Sequence, residues 1–341
     1  MRLLVCGGAG FIGSTFIARR LAATADSIVV LDKLTYAGSR ENLAGIEADA
    51  GLRARLQFVH GDICDADLVG PLVAATDAVV NFAAETHVDR SISSADDFLR
   101  TGVIGLNVLL DAARANGRRM VQVSTDEVYG TIESGAATED SPLKPRSPYA
   151  AAKAAGDLLC IAYHVTHGSD VVISRGANTY GPRQHPEKLV PLFITNAIDN
   201  EQLPLYGDGQ QRRDWLFVDD HADAIALILD RGVAGEVYNV PGADERVNRD
   251  VADAILTATG RSNELLRRIA DRPGHDRRYA MTGDRLAALG WQPRVKFADG
   301  LAATVAWYRD NRDWWLRARG PGWADYYDHL YGRRLAESQP V

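Results

Sequence analysis

Cysteine is scarce in this chain, basic charge is not in surplus, and long apolar runs are missing. Its three cysteines among 341 residues, Cys6, Cys64 and Cys160, are odd in number and scattered, without the CxxC spacing of a zinc site. Reduced, buried thiols are expected, and no metal is expected. No stretch reaches the roughly 18 consecutive apolar residues of a membrane-crossing helix. Met1 to Val5 runs into glycines too soon to form the apolar core of a signal peptide. The expectation is a cytoplasmic protein without a membrane partner. A net charge of −7 argues against a nucleic-acid partner, because phosphate binding draws on clustered Lys and Arg. What is present, 46% hydrophobic and 24% charged residues, suffices to bury a large core. The length predicts one large domain with a smaller lobe.

Apolar runs without alternation recur at Leu3–Cys6, Ile28–Leu31, Gln57–His60, Ala78–Phe82 and Met120–Val123, as in strands of a parallel sheet covered on both faces. Helical spacing in Ser14–Ala23 and Val103–Ala115 separates some of them. The alternation predicts an α/β protein, a Rossmann-type doubly wound parallel sheet whose ligands bind outside the carboxyl ends of the strands. Beyond about residue 180, Pro182, Pro186, Pro191 and Pro204 break the rhythm, and Asp271–His275 reads as a polar loop. Residues 1–180 are therefore expected to form the dinucleotide-binding domain, 181–330 mainly a substrate-binding lobe, and 331–341 a tail. Trp215–Val218 and Glu236–Val240 look like strands returning to the main sheet, so that the first domain is completed near 214–240.

Gly7, Gly10 and Gly13 form GxxGxxG between the first strand and the first helix. The first glycine permits a tight turn, the second lets backbone approach a pyrophosphate, and the third lets helix and strand pack closely. Phe11 and Ile12 lie at the helix N-terminus, whose free N–H groups would face the phosphates. A lone glycine triplet is a weak signal, but Asp32 at the end of the next strand strengthens it. Asp32 is placed to accept hydrogen bonds from both adenosine ribose hydroxyls and to repel a 2′-phosphate, so the cofactor is expected to be NAD. Asp62 and Ile63 would flank the adenine, and the small Ala83 and Ala84 would let the chain pass close to the cofactor.

Tyr149 and Lys153 stand four residues apart on one helix face. A nearby ammonium is expected to lower the phenol pKa, so that Tyr149 can take a proton from a substrate hydroxyl. Lys153 is also expected to hold the nicotinamide ribose. YxxxK by itself is common on surface helices. Thr125 changes the balance, because it ends a buried strand and its hydroxyl can share the same substrate oxygen. Asp126 and Glu127 add two carboxyls there, and adjacent acids split in pKa to give an acid and a base.

Gly7–Gly13, Leu31–Gly38, Ala83–Ser91, Ser124–Gly130 and Asp271–Tyr279 together closely resemble the dTDP-glucose 4,6-dehydratases, within the extended short-chain dehydrogenase/reductases, over residues 1–310. The glycine motif and YxxxK are shared across that superfamily, whereas Thr125-Asp126-Glu127 and Asp271-Arg272-Pro273-Gly274-His275 are narrower. The resemblance implies a lyase acting on dTDP-glucose in deoxysugar biosynthesis, with Thr125, Asp126, Glu127, Tyr149 and Lys153 catalytic. It adds Lys33, Leu34, Thr35, Gly38, Phe82 and Thr101 to the cofactor contacts. It implies Thr86, Asn178, Lys188, Leu189, Pro204, Leu205, Tyr206, Arg213, Asn239, Arg272 and His275 as substrate contacts. Arginines suit pyrophosphate because guanidinium binds it two-pronged. It also implies a homodimer, formed through helices near 103–115 and 149–165.

Three positions depart from the family pattern: Thr86 where Ser is usual, Thr179 where a second Asn is common, and Gly102 where Asn usually follows the threonine. The last two are expected to loosen cofactor contacts. Two other readings share much of the site. A nucleotide-sugar 4-epimerase needs the glycine motif, Asp32, Thr125, Tyr149 and Lys153 but not the carboxyl pair. A non-catalytic NAD-sensing protein usually lacks the tyrosine or lysine.

Overall fold

The computed structural model describes residues 1–341. The first strands are β1 (Arg2–Cys6), β2 (Ser27–Asp32), β3 (Leu56–His60), β4 (Ala78–Asn81), β5 (Arg119–Thr125) and β6 (Val171–Gly176). There follow β7 (Asn178–Tyr180), β8 (Leu203–Tyr206), β9 (Arg212–Phe217), β10 (Val237–Val240), β11 (Glu245–Val247), β12 (Leu266–Ile269) and β13 (Gln339–Pro340). Seven of them form one sheet in the order β10-β6-β5-β4-β1-β2-β3, every pairing parallel.

Successive residues of β1 explain the layering. Leu3 and Val5 bury against Phe16, Ile17 and Leu21 in one core, whereas Leu4 and Cys6 bury with Leu106, Leu109 and Leu110 in another. A strand apolar on both sides is stable where helices cover both faces. Strand order reverses between β1 and β4, and the crevice at their carboxyl ends is where a doubly wound sheet takes its ligand.

The helix Pro148–His167 carries Tyr149 and Lys153. Ser147 caps its start by accepting the Ala150 N–H at 3.1 Å, Pro148 occupies the first turn, and Gly168 ends it at φ 66°.

The structure corrects several expectations. Glu236–Val240 does return to the main sheet, as β10 at its edge. Trp215–Val218 does not: β9 pairs with β7 and β11 instead. The place beside β6 belongs to β10, reached from β9 through the helix Val218–Arg231, and Trp215 and Phe217 bury in the lobe core with Tyr180, Phe297 and Trp315. The predicted helix Val103–Ala115 begins as a wider π turn, Arg100–Gly105, before Leu106–Ala115 becomes regular. The C-terminal tail contains a short helix, Arg333–Ala336, and β13, which pairs antiparallel with β12. Cys64 is half-buried, unlike Cys6 and Cys160. No helix is long and apolar enough to cross a membrane.

Candidate active site

The glycine turn is dictated by contact. Gly7 adopts φ 72°, and a Cβ there would sit 2.6 Å from the backbone nitrogen of Ala83. A Cβ on Gly13 would sit 2.5 Å from the Gly7 carbonyl oxygen. The helix Phe11–Ala23 then starts at Gly10 without a side-chain cap, leaving its first N–H groups to face the cleft. Asp32 holds the neighbouring loop: its carboxylate accepts the Ala9 and Leu34 N–H groups, each at 2.8 Å. Burial raises its pKa, and those two N–H groups, with His60, pull it back. Lys33 pairs with Asp62 at 3.2 Å.

A cleft with about 1500 Å³ of empty space crosses the carboxyl ends of the sheet. Gly7, Gly10, Phe11, Ile12, Gly13, Asp32, Lys33, Thr35, Gly38, Asp62, Ile63, Phe82, Ala83, Ala84 and Thr101 line one stretch of it. Thr86, Thr125, Asp126, Glu127, Tyr149, Lys153, Asn178 and Lys188 line the rest. Leu34 is absent from the wall; its side chain is exposed and its backbone N–H serves Asp32.

At the end of β5, the Thr125 hydroxyl donates to Asp126 Oδ1 at 3.1 Å and accepts the Glu127 N–H at 3.3 Å. Asp126 Oδ2 is buried without a partner. The two carboxyls are unequal. Burial, then Glu127 and Asp214, push Asp126 well above the ordinary carboxylate range. Burial also raises Glu127, and it stays above its ordinary value, but the charges of Arg272, Arg213 and Lys188 oppose the rise. Asp126 is thus suited to hold a proton and Glu127 to accept one.

The expectation that Lys153 lowers the Tyr149 pKa is corrected. Burial, Glu127 and Asp126 raise the phenol, opposed by the Thr125 hydroxyl. The Lys153 ammonium is turned to the Val123 carbonyl, to which it donates at 2.6 Å.

On the lobe side, Lys188 donates to the Thr86 carbonyl, and the Thr86 hydroxyl is 3.4 Å from that of Tyr36. Arg272 and Tyr206 both reach Asp89, at 3.5 and 3.3 Å. His275 meets Asp271 at 2.6 Å, and its ring stands edge-on to Tyr206 at 5.9 Å. Arg213 lies 4.2 Å over the Tyr279 ring and donates to the Asp276 carbonyl at 3.0 Å. Arg213 from β9 and Arg272 from the loop after β12 are, with Lys188, the positive charges that act on Glu127. The side chains of Tyr206, Arg213, Arg272 and His275 are not part of the cleft wall itself. Leu189 opens the helix Leu189–Asp199, and Pro204 and Leu205 lie in β8, with Leu205 in the lobe core. Asn239 stands apart from the cleft. Fully buried, it accepts from the Tyr129 hydroxyl at 2.7 Å and donates to the Thr282 carbonyl at 2.9 Å, so its side chain is spent on the fold.

Sequence reasoning missed Glu85, Gln184, His185 and His221, which also line the cleft, and Asp89, which gathers Arg272 and Tyr206. Glu85 and Asp89 lie inside a quoted motif; no spacing in the sequence marks the other three.

Comparison with known proteins agrees with this geometry. Residues 4–304 match the family model described as GDP-mannose 4,6 dehydratase. The dTDP-glucose 4,6-dehydratase of Streptomyces niveus is 55% identical over 328 residues, covering 94% of this chain and 96% of that protein. That of Streptomyces antibioticus is 52% identical over 332 residues, covering 94% and 97%. The crystal structure of the Streptomyces venezuelae dTDP-glucose 4,6-dehydratase with NAD and dTDP bound matches with a TM-score of 0.90 at 54% identity, covering 93% of this chain and 100% of that one. With the glycine turn, the Thr125–Glu127 strand end and the Tyr149–Lys153 helix assembled on one cleft, the chain belongs to the dTDP-glucose 4,6-dehydratase family of extended short-chain dehydrogenase/reductases.

Proposed function

We infer that the chain is an NAD-dependent dTDP-glucose 4,6-dehydratase, a hydro-lyase yielding the 4-keto-6-deoxy sugar. The observation that carries this is the unequal carboxyl pair Asp126 and Glu127, set beside Thr125 and Tyr149 in one cleft. The glycine turn, too tight for any Cβ at Gly7 or Gly13, and Asp32 at the end of β2 fit NAD. Bound there, NAD supplies the hydride acceptor for sugar C4 and the donor for C6.

The chain's own groups then divide the proton work. Tyr149, with Thr125 and Lys153, takes the 4-hydroxyl proton. A C4 carbonyl acidifies the C5 hydrogen, which Glu127 removes, while Asp126 protonates the departing 6-hydroxyl. Elimination needs a base and an acid on neighbouring carbons, and β5 ends in both. An epimerase has no use for this pair, and a non-catalytic protein has none for Tyr149 and Lys153. Lys188, Arg213, Arg272 and His275, with Tyr206, Asn178, Leu189, Pro204 and Leu205, would hold the nucleotide and its pyrophosphate.

The assembly is proposed to be a cytoplasmic homodimer. Ile104, Leu158 and Val165 are 58%, 57% and 77% exposed at or on the helices expected to pair, and apolar side chains this open favour a partner.

Incubation with dTDP-glucose is expected to give the 4-keto-6-deoxy product without accumulating NADH. Glu127→Gln should stop elimination yet leave hydride transfer, so enzyme-bound NADH builds up. Formation of dTDP-galactose would favour the epimerase instead.

A further inference from the structure

One wall of the cleft is left without a role by this chemistry. At the end of β6, Gly176 stands opposite Thr125 in parallel register, and the imidazole of His221, from the helix Val218–Arg231, lies over it. A Cβ on Gly176 would come 2.6 Å from His221 Nε2. His221 is 2% exposed, yet it lines the cleft with Gly176, Ala177 and Thr179.

Its hydrogen bonds select a tautomer. His221 Nδ1 is 2.7 Å from Thr179 Oγ1, and that oxygen is 3.1 Å from the Ala177 carbonyl. A carbonyl only accepts, so the single hydroxyl proton goes to Ala177 and Nδ1 donates the ring proton to Thr179. Nε2 is left as a bare acceptor, buried with no partner in the chain. Burial lowers the ring pKa to about 4, so it is neutral near pH 7.

A buried acceptor of this kind calls for a donor from a ligand. Asp32 and the glycine turn place the adenosine half of the dinucleotide over β1 and β2, which leaves β5 and β6 for the other half. Lys153 is the group suited to the ribose there, and the remaining donor is the carboxamide. We propose that His221, held in one tautomer by Thr179, is a positioning residue that accepts the carboxamide N–H of the nicotinamide. This rests on the assignment of the cleft to NAD. It gives Thr179 a task of its own.

Titration calorimetry on the full chain freed of nucleotide tests this, using NAD and ADP-ribose, which has no nicotinamide. His221→Leu and Thr179→Val are each expected to weaken NAD by about tenfold and to leave ADP-ribose within about twofold. The double variant should be no weaker than His221→Leu alone. Nitrogen-15 NMR of the labelled histidines should place the His221 proton on Nδ1, with that preference lost in Thr179→Val, a variant that keeps the test open if His221→Leu does not fold. Equal losses for both ligands would reduce His221 to a support of the fold, and unchanged NAD affinity would remove the contact; either overturns the proposal. Failure of the unaltered chain to bind NAD and ADP-ribose would overturn the cofactor site itself.

Discussion

Lys153 Nζ donates to the carbonyl oxygen of Val123 at 2.6 Å, two residues before Thr125 on the strand that ends in the carboxyl pair. The ammonium is thereby tied to β5 as well as to its own helix, and the groups proposed as catalytic on both elements are held in one register. Lys153→Met is expected to lower turnover by about 10²–10⁴-fold, measured by product formation under saturating NAD. Arginine should not restore it, because a planar fork cannot replace a compact ammonium in this buried place.

Asp126 ties stability to pH in the direction of its raised pKa. Between its ordinary value of 3.8 and its higher folded value, the folded chain binds more protons than the unfolded one. Its contribution is therefore greatest below that ordinary value and is lost as pH rises through the folded pKa. Asp126→Asn escapes this loss. Its unfolding midpoint should exceed that of the unaltered chain by more at pH 8 than at pH 5, while turnover falls by about 10²–10⁴-fold for want of an acid. Thermal scans at both pH values test the first part; a constant or reversed difference would sink it.

Glu187 behaves oppositely. Burial pushes its carboxyl up, but His87, His185, Lys188 and Arg90 outweigh that and hold it at about 2. Near pH 7 His87, itself lowered to about 4, is neutral, as is His185, so Lys188 and Arg90 sustain the effect. Arg90 donates to Glu187 at 2.9 Å from between the rings of Tyr36 and Tyr326, at 3.9 and 4.0 Å. Glu187→Gln should cost on the order of 3 kcal/mol near neutral pH. The deficit should be full above the ordinary glutamate value of 4.5 and shrink as pH falls toward about 2. Urea unfolding at pH 7 and pH 3 compares the two ends.

Asp32 accepts two backbone N–H groups at 2.8 Å and keeps further lone pairs for a diol. Asp32→Ala is expected to weaken NAD by about 10–100-fold and to erode the preference over NADP, since the charge that repels a 2′-phosphate is gone. A dissociation constant for each nucleotide decides it. An undiminished preference would show that Asp32 does not set it.

Much of the dinucleotide half was legible because its signals are local. Burial on both faces makes β1, β2 and β4 read as continuous apolar runs, and the turn at Gly7 admits no side chain, so periodicity and glycine placement reveal them. The acidic pair was legible for the same reason, being adjacent in the chain. How Trp215 and Phe217 are used was not, since an apolar strand can bury equally well in the main sheet or in the lobe, and competition with Val237–Val240 for the edge beside β6 settles it. Nor could spacing show that Lys153 turns to Val123, that Asn239 is consumed by Tyr129 and Thr282, or that His221 meets Thr179. Each depends on groups brought together from distant segments. The sequence by itself determined which chemical groups stand at each strand end, because backbone geometry there selects residue type directly. The tertiary structure alone decided their protonation and partners, because desolvation and Coulomb fields depend on distances that chain order does not contain.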